Sequence, residues 1–206
     1  VPMRDTSILC DLYTKTDGKV SVVARGGRKK KEWQGALQPF LPIWVQWQGD
    51  GLCRLTHCER MGAGTDLQGH RLFCGFYVNE LISKLCPQTE GNAELFTLYH
   101  QTIQALRHQD MAQTLRQFER HFLTLLGYGI APPTHEADHY QYDPIKGWCP
   151  AHPAPHTFSA AMVEAMTHEH WHVTGALDAA KRLYRTIFDA LLPYPLQSRS
   201  LFRSIQ

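Results

Sequence analysis

Apolar runs are short in this chain. The longest, Leu41 to Trp47, is broken by Pro42 and Gln46, well below the ~20 residues that a bilayer-spanning helix needs, so no transmembrane helix is expected. Cys-x-x-Cys pairs are also missing. Cys10, Cys53, Cys58, Cys74, Cys86 and Cys149 stand apart, which argues against a disulfide framework; Cys10 and Cys74 fall inside apolar periodic runs, where a free thiol packs as a small hydrophobe. No cationic leader followed by an apolar stretch is found at the start, and the expected compartment is the cytoplasm. Neither sign of charge dominates: 21 Lys and Arg against 19 Asp and Glu leave a net +2, so the distribution of charge matters and not its sum. The usual catalytic signatures are lacking too. There is no Gly-x-Ser-x-Gly elbow, no Gly-x-x-x-x-Gly-Lys loop and no pair of carboxylates at general acid and base spacing, which points away from an enzyme and from a bound cofactor.

What is present is enough to fold, since 43% of the residues are hydrophobic and 19% charged. From Ser7 to about Glu59 the apolar residues recur with period two. Ile8, Cys10 and Leu12 alternate with Leu9, Asp11 and Tyr13, and the turn dipeptide Asp17-Gly18 leads into Val20, Val22 and Ala24. Further strands are expected at Ile43, Val45 and Trp47 and at Leu52 to Cys58, with Pro39 and Pro42 placing the start of the third strand at an edge or bulge. Four short strands of this kind suggest a small barrel or meander.

Beyond Gly62 to Gly64 the period becomes helical. Leu72, Phe73, Phe76, Tyr77, Leu81 and Leu85 form one apolar face, and Leu95, Tyr99, Ile103 and Leu106 the next. Asp110 with Gln113 resembles a capping box ahead of Met111, Leu115, Phe118, Phe122 and Leu125; Leu177 to Leu191 make a last helix. The expected class is therefore α+β, with a β-rich domain over 1–62 and a helical domain over 63–206. The latter is interrupted at about 131–157 by an irregular segment rich in His, Pro and Tyr.

Three constellations could carry chemistry. Arg25, Arg28, Lys29, Lys30 and Lys31 fall within seven positions that include Gly26 and Gly27, and Trp33 follows. Glycines let the backbone approach a polyanion, the cations can displace condensed counterions, and an indole offers a face for a base. An ordinary solvated basic turn is the plainer alternative. A second basic set, Lys181, Arg182 and Arg185 with Arg199 and Arg203 beyond, is weaker and also fits a polar helix face. His168-Glu169-His170-Trp171-His172 fits His-Glu-x-x-His, with Gly175 and Asp178 extending it; two imidazoles one helical turn apart would bind zinc, Glu169 would activate water and Asp178 would add a ligand. Against this zinc-hydrolase alternative stand the abundance of histidine, 12 in all, and the lack of a following methionine turn. Finally, His135, His139, Cys149, His152 and His156 include a Cys-x-x-His spacing, but without a second half.

Dispersed, collinear stretches resemble the RecO family of bacterial recombination mediators over nearly the whole chain. They are Asp5-Thr6-Ser7 with Asp11 to Thr14, Gly18-Lys19-Val20, Val23 to Gly26, Gly35 to Phe40, Gly75 to Leu81, Leu115 to Glu119, Leu125 to Gly129, Ala179 to Arg182 and Ser198 to Arg203. The resemblance implies an N-terminal oligonucleotide-binding (OB) barrel, a helical domain and a function without turnover. That function is binding single-stranded and double-stranded DNA, annealing strands coated by single-strand-binding protein, and helping RecR place RecA, with the protein associated with the nucleoid. It also implies contact with the acidic, Phe-ended tail of single-strand-binding protein. Arg116 would meet the tail carboxylate there, an i, i+3 pair with Glu119 being the alternative. Two departures accompany it. Many members carry four zinc-binding cysteines in the region matching Pro132 to Phe158, where only Cys149 stands here, so no metal is carried over. The family also has a further strand ahead of the part matching Pro2 to Thr6, so the first barrel strand is expected to be absent.

Overall fold

The computed structural model describes residues 6–62, 64, 66–87 and 90–201. Arg203 and the segment 1–5 lie outside them. The chain forms two compact units, Val1–Arg107 and His108–Gln206.

In the first unit, alternation of apolar residues produces β1 (Ile8–Thr14) and β2 (Gly18–Ala24), an antiparallel hairpin in register from Ile8 opposite Ala24 to Thr14 opposite Gly18. The Asp17 backbone N–H donates to Thr14 Oγ1 at 3.0 Å, fastening the turn. A short helix, α1 (Lys31–Ala36), and the strand β3 (Ile43–Gln48) follow before β4 (Leu52–Arg60). β4 pairs antiparallel with β3 and parallel with β2. The parallel pairing is possible because α1 and β3 supply the crossover. The sheet order is β1-β2-β4-β3, with β1 and β3 as its edges among the described residues. Of the edge or bulge expected at the start of the third strand, the structure shows the edge; a bulge interrupts the β3–β4 pairing further along, between Gln46 and Trp47.

One side of the sheet builds a single core of Val20, Val22, Ala24, Cys53 and Leu55, onto which Ile8, Cys10 and Leu12 from one edge and Val45 and Trp47 from the other pack. Both edges meeting one cluster requires the sheet to curl, as in a barrel left open between β1 and β3. Two helices complete the unit, α2 (His70–Leu85) and α3 (Ala93–Ala105). Asn92 caps α3 by accepting from the Leu95 backbone N–H. Tyr13 of β1 joins the sheet to α3, its ring centroid 6.1 Å from Phe96 and 5.9 Å from Tyr99.

In the second unit, α4 (Met111–Leu125) begins at the capping Asp110, whose side chain accepts from the Gln113 N–H at 2.8 Å. The segment expected to be irregular contains two strands instead, β5 (His139–Asp143) and β6 (Gly147–Pro150), and a third, β7 (Phe158–Ser159), follows at its end, in the order β6-β5-β7. Their cover is aromatic. Trp148 lies edge-on to Tyr140, Tyr142 and Phe158 at centroid distances of 6.2, 5.0 and 5.5 Å. Then come α5 (Ala160–Thr167), α6 (Ala176–Leu191) and the single turn α7 (Ser198–Leu201). α6 packs against α4 and α5 and buries Ala176, Ala179, Ala180, Leu183, Tyr184, Ile187 and Phe188. No helix among the described residues is long and apolar enough to cross a membrane.

The hairpin tip tolerates no side chain at Gly18. Its φ is +64°, and a Cβ there would run into the backbone carbonyl of Glu90. Gly18→Val should therefore destabilise the first unit by about 1–3 kcal/mol. Urea unfolding checks this, and an unchanged midpoint would mean that the tip does not pack on this segment.

Candidate nucleic-acid interface

The chain leaves β2 at Ala24 and turns back at once. Gly26 takes φ +71°. The Gly27 N–H donates to Ala24 O at 3.1 Å, the Arg28 N–H to Thr6 O at 2.9 Å, and the Lys29 and Lys30 N–H groups to Gly26 O at 2.9 and 3.1 Å. Gln34 adds a side-chain bond to the Arg28 carbonyl. These bonds pin the backbone, while the side chains of Arg25, Arg28, Lys29, Lys30 and Lys31 all point to solvent. Among the described residues none of the five forms an ion pair. The result is a fixed backbone carrying five uncompensated positive charges, which suits a polyanion.

Trp33 does not offer a stacking face. The residue is 8% exposed and lies in the sheet core with Val20, Val22 and Leu55, and Lys30 Nζ sits 5.2 Å from its ring centroid. The reason is position: two residues into α1, the indole points inward and becomes the anchor of the turn. The exposed aromatic of the sheet is Trp44, 46% exposed on β3. Its signal was in the alternation, because Ile43, Val45 and Trp47 facing inward put Trp44 on the other face.

The second basic set lies on α6, in the other unit. Lys181, Arg182 and Arg185 are all exposed. Arg182 lies over the Phe158 ring at 5.2 Å, and Arg185 Nε is 3.6 Å from Asp189 Oδ2. Asp189 also accepts from Arg199. Of the α6 cations only Lys181 has neither an ion pair nor a ring contact among the described residues, so this set carries less free charge than the β2 turn.

Arg116 is not presented to solvent. It is 6% exposed, Glu119 is 2% exposed, and Arg116 Nη2 donates to Glu119 Oε1 at 2.8 Å while Nε lies 2.6 Å from Oε2. The pairing within α4 holds the guanidinium inside the second unit, where a tail carboxylate cannot reach it without displacing Glu119.

The His-Glu-x-x-His match has no helix beneath it. α5 ends at Thr167, His168 is its C-terminal cap, and Glu169 adopts φ +56°. His168, His170 and His172 stack side by side, with centroids 5.7 and 5.8 Å apart, instead of converging from one helical face. Glu169 Oε1 lies 3.4 Å from Arg120 Nε and 3.6 Å from His121 Nε2, so it is engaged as a counter-ion and is not poised over a metal-bound water. Among the described residues no three His, Cys, Asp or Glu side chains, His135, His139, Cys149, His152 and His156 included, are placed to share a metal ion. The six cysteines are free. Burial pushes the thiols of Cys10 and Cys58 up and that of Cys86 to about 11, leaving them protonated and weakly nucleophilic at neutral pH.

Comparison with known proteins gives one answer along the chain. Residues 1–63 match the family model "Recombination protein O N terminal" and residues 67–131 match "Recombination protein O C terminal". Proteins named DNA repair protein RecO are similar from end to end. That of Serratia proteamaculans is 36% identical across 98% of this chain and 89% of its own length; that of Actinobacillus succinogenes is 36% identical across 98% and 90%; that of Methylococcus capsulatus is 35% identical across 98% and 88%.

If Arg116 serves the interior, Arg116→Ala should destabilise the second unit by about 3–5 kcal/mol by stranding the Glu119 charge, and Arg116→Met with Glu119→Leu should recover most of it. Denaturant unfolding of the three proteins tests this. A single variant as stable as the parent would mean that the guanidinium is free for a partner.

Proposed function

The chain belongs to the RecO family of DNA repair proteins, and from that premise we propose that it binds DNA through the cationic turn after β2 and acts as a recombination mediator without turnover. In this reading it binds single-stranded and double-stranded DNA, anneals complementary strands coated by single-strand-binding protein, and works with RecR to load RecA, in the cytoplasm at the nucleoid. The observation that carries the DNA contact is the turn itself: Arg25, Arg28, Lys29, Lys30 and Lys31 are exposed and, among the described residues, form no ion pair, on a backbone already held by hydrogen bonds. Little ordering of the main chain is then needed on association. Lys181, Arg182 and Arg185 on α6 are a secondary phosphate contact, with Lys181 the main contributor because it forms no ion pair among the described residues.

The acidic, Phe-ended tail of single-strand-binding protein is the proposed protein partner. Arg116 would receive its carboxylate only by exchanging Glu119 for it, and the depth of that pair weighs against Arg116 as the first contact. A zinc-dependent hydrolase centred on His168, Glu169 and His172 finds no support in the geometry, because the three residues lie beyond the end of α5.

Changing Lys29, Lys30 and Lys31 together to Ala should weaken binding of a single-stranded oligonucleotide. It should also reduce the slope of log K against log salt by about 2, on the basis of ~0.7 counterions released per phosphate contact. A salt titration by fluorescence anisotropy measures both. An unchanged affinity and slope would remove this turn from the DNA site.

A further inference from the structure

The outward face of the sheet is the side that the core does not use, and its composition is specific. Along β3 the outward residues are Trp44, Gln46 and Gln48, all exposed. Across the strand pair they stand opposite Glu59, His57 and Arg54 of β4, and Arg54 is in turn beside Val23 of β2. Trp44 therefore belongs to a row that contains one large aromatic, two amides, an imidazole and an exposed guanidinium. The His57 ring meets Trp44 edge to face, with centroids 5.4 Å apart and planes at 69°. His57 Nε2 donates to Glu59 Oε1 at 2.8 Å, so the one carboxylate beside the indole is already engaged. Beside this contact Trp44 remains 46% exposed, which leaves indole surface open to a ligand.

The position relative to the cationic turn follows from the topology. β2 and β4 run parallel with Val23 level with Arg54. The chain leaves β2 at Ala24 for the turn, whereas β4 continues to Arg60. His57, Glu59 and their neighbour Trp44 thus lie towards the end of the sheet from which Arg25 to Lys31 project.

We infer that Trp44 is a stacking platform for an unpaired nucleobase, and that Gln46 and Gln48, spaced about 6.6 Å apart along the same strand face, offer amide hydrogen bonds to the bases that follow. The inference rests on the reading of the cationic turn as the phosphate contact and adds the element that distinguishes an open strand from a duplex, whose bases are already stacked on one another. An indole face accepts any base, which gives tight binding without sequence preference. Charge complementarity names the occupant: phosphates on the turn and Arg54, bases on Trp44.

The test uses the whole protein with two single-stranded probes of equal length, oligothymidylate and a fully abasic deoxyribose-phosphate chain. Trp44→Ala should weaken oligothymidylate binding about tenfold, Trp44→Phe should bind within about threefold of the parent because it keeps a ring, and all three proteins should bind the abasic chain alike. Equal oligothymidylate affinity for parent and Trp44→Ala overturns the inference, and so does an equal loss on both probes. Should Trp44→Ala fail to fold, ultraviolet cross-linking of the parent to a 5-iodouracil oligonucleotide decides: an adduct on Trp44 supports the platform, and adducts only on other residues overturn it. If the parent binds neither probe at low salt, the cationic-turn reading itself falls; if it binds both equally, only the stacking inference does.

Discussion

Burial of Trp33 is the interaction on which the cationic turn after β2 depends. The indole fills the core beneath β2 and β4, and because it lies just past the cationic turn, its burial fixes where the turn ends. The other end is fixed by Ala24, fully buried in the same core. Between these anchors Gly26 reverses the chain, and the amides of Gly27 to Lys30 are bonded to main-chain carbonyls. Apolar burial on one side of the sheet thus displays five cations on a backbone with little freedom left. A polyanion meeting them gains electrostatic attraction without a large ordering cost.

The second unit solves a different problem. Three short strands are closed by Tyr140, Tyr142, Trp148 and Phe158. Edge-to-face rings, with Arg182 lying over Phe158, give cohesion that does not depend on a metal. The buried Arg116 and Glu119 pair belongs to the same interior. Its two charges satisfy one another within α4, and removing either costs more than the pair contributes.

Much of this was legible in the residues. Period-two alternation marked β1 to β4, Asp17-Gly18 marked the hairpin, and Asp110 with Gln113 marked the start of α4, because each is a local constraint written within a few positions. The basic turn was visible as composition, and its exposure follows from charge. Other features depend on packing that no local pattern records. α1 is only six residues long, too short to show a helical period, so nothing in its sequence said whether Trp33 faced in or out. β5, β6 and β7 have five, four and two residues, too few to display alternation among so many His and Pro. The spacing of Arg116 and Glu119 allowed an ion pair, but the depth at which it sits is set by tertiary packing. His168 to His172 kept the spacing of a zinc motif while the helix that would give that spacing its meaning had already ended.

The most direct test of the account is a lysine footprint. Acetylation of the free protein and of its complex with a single-stranded oligonucleotide at low ionic strength, read by mass spectrometry, compares each Nζ group in place and without mutation. The account predicts strong protection of Lys29, Lys30 and Lys31, weaker protection of Lys181, and none of Lys146 in the β5–β6 turn. Full reactivity of Lys29 to Lys31 in a saturated complex would contradict it.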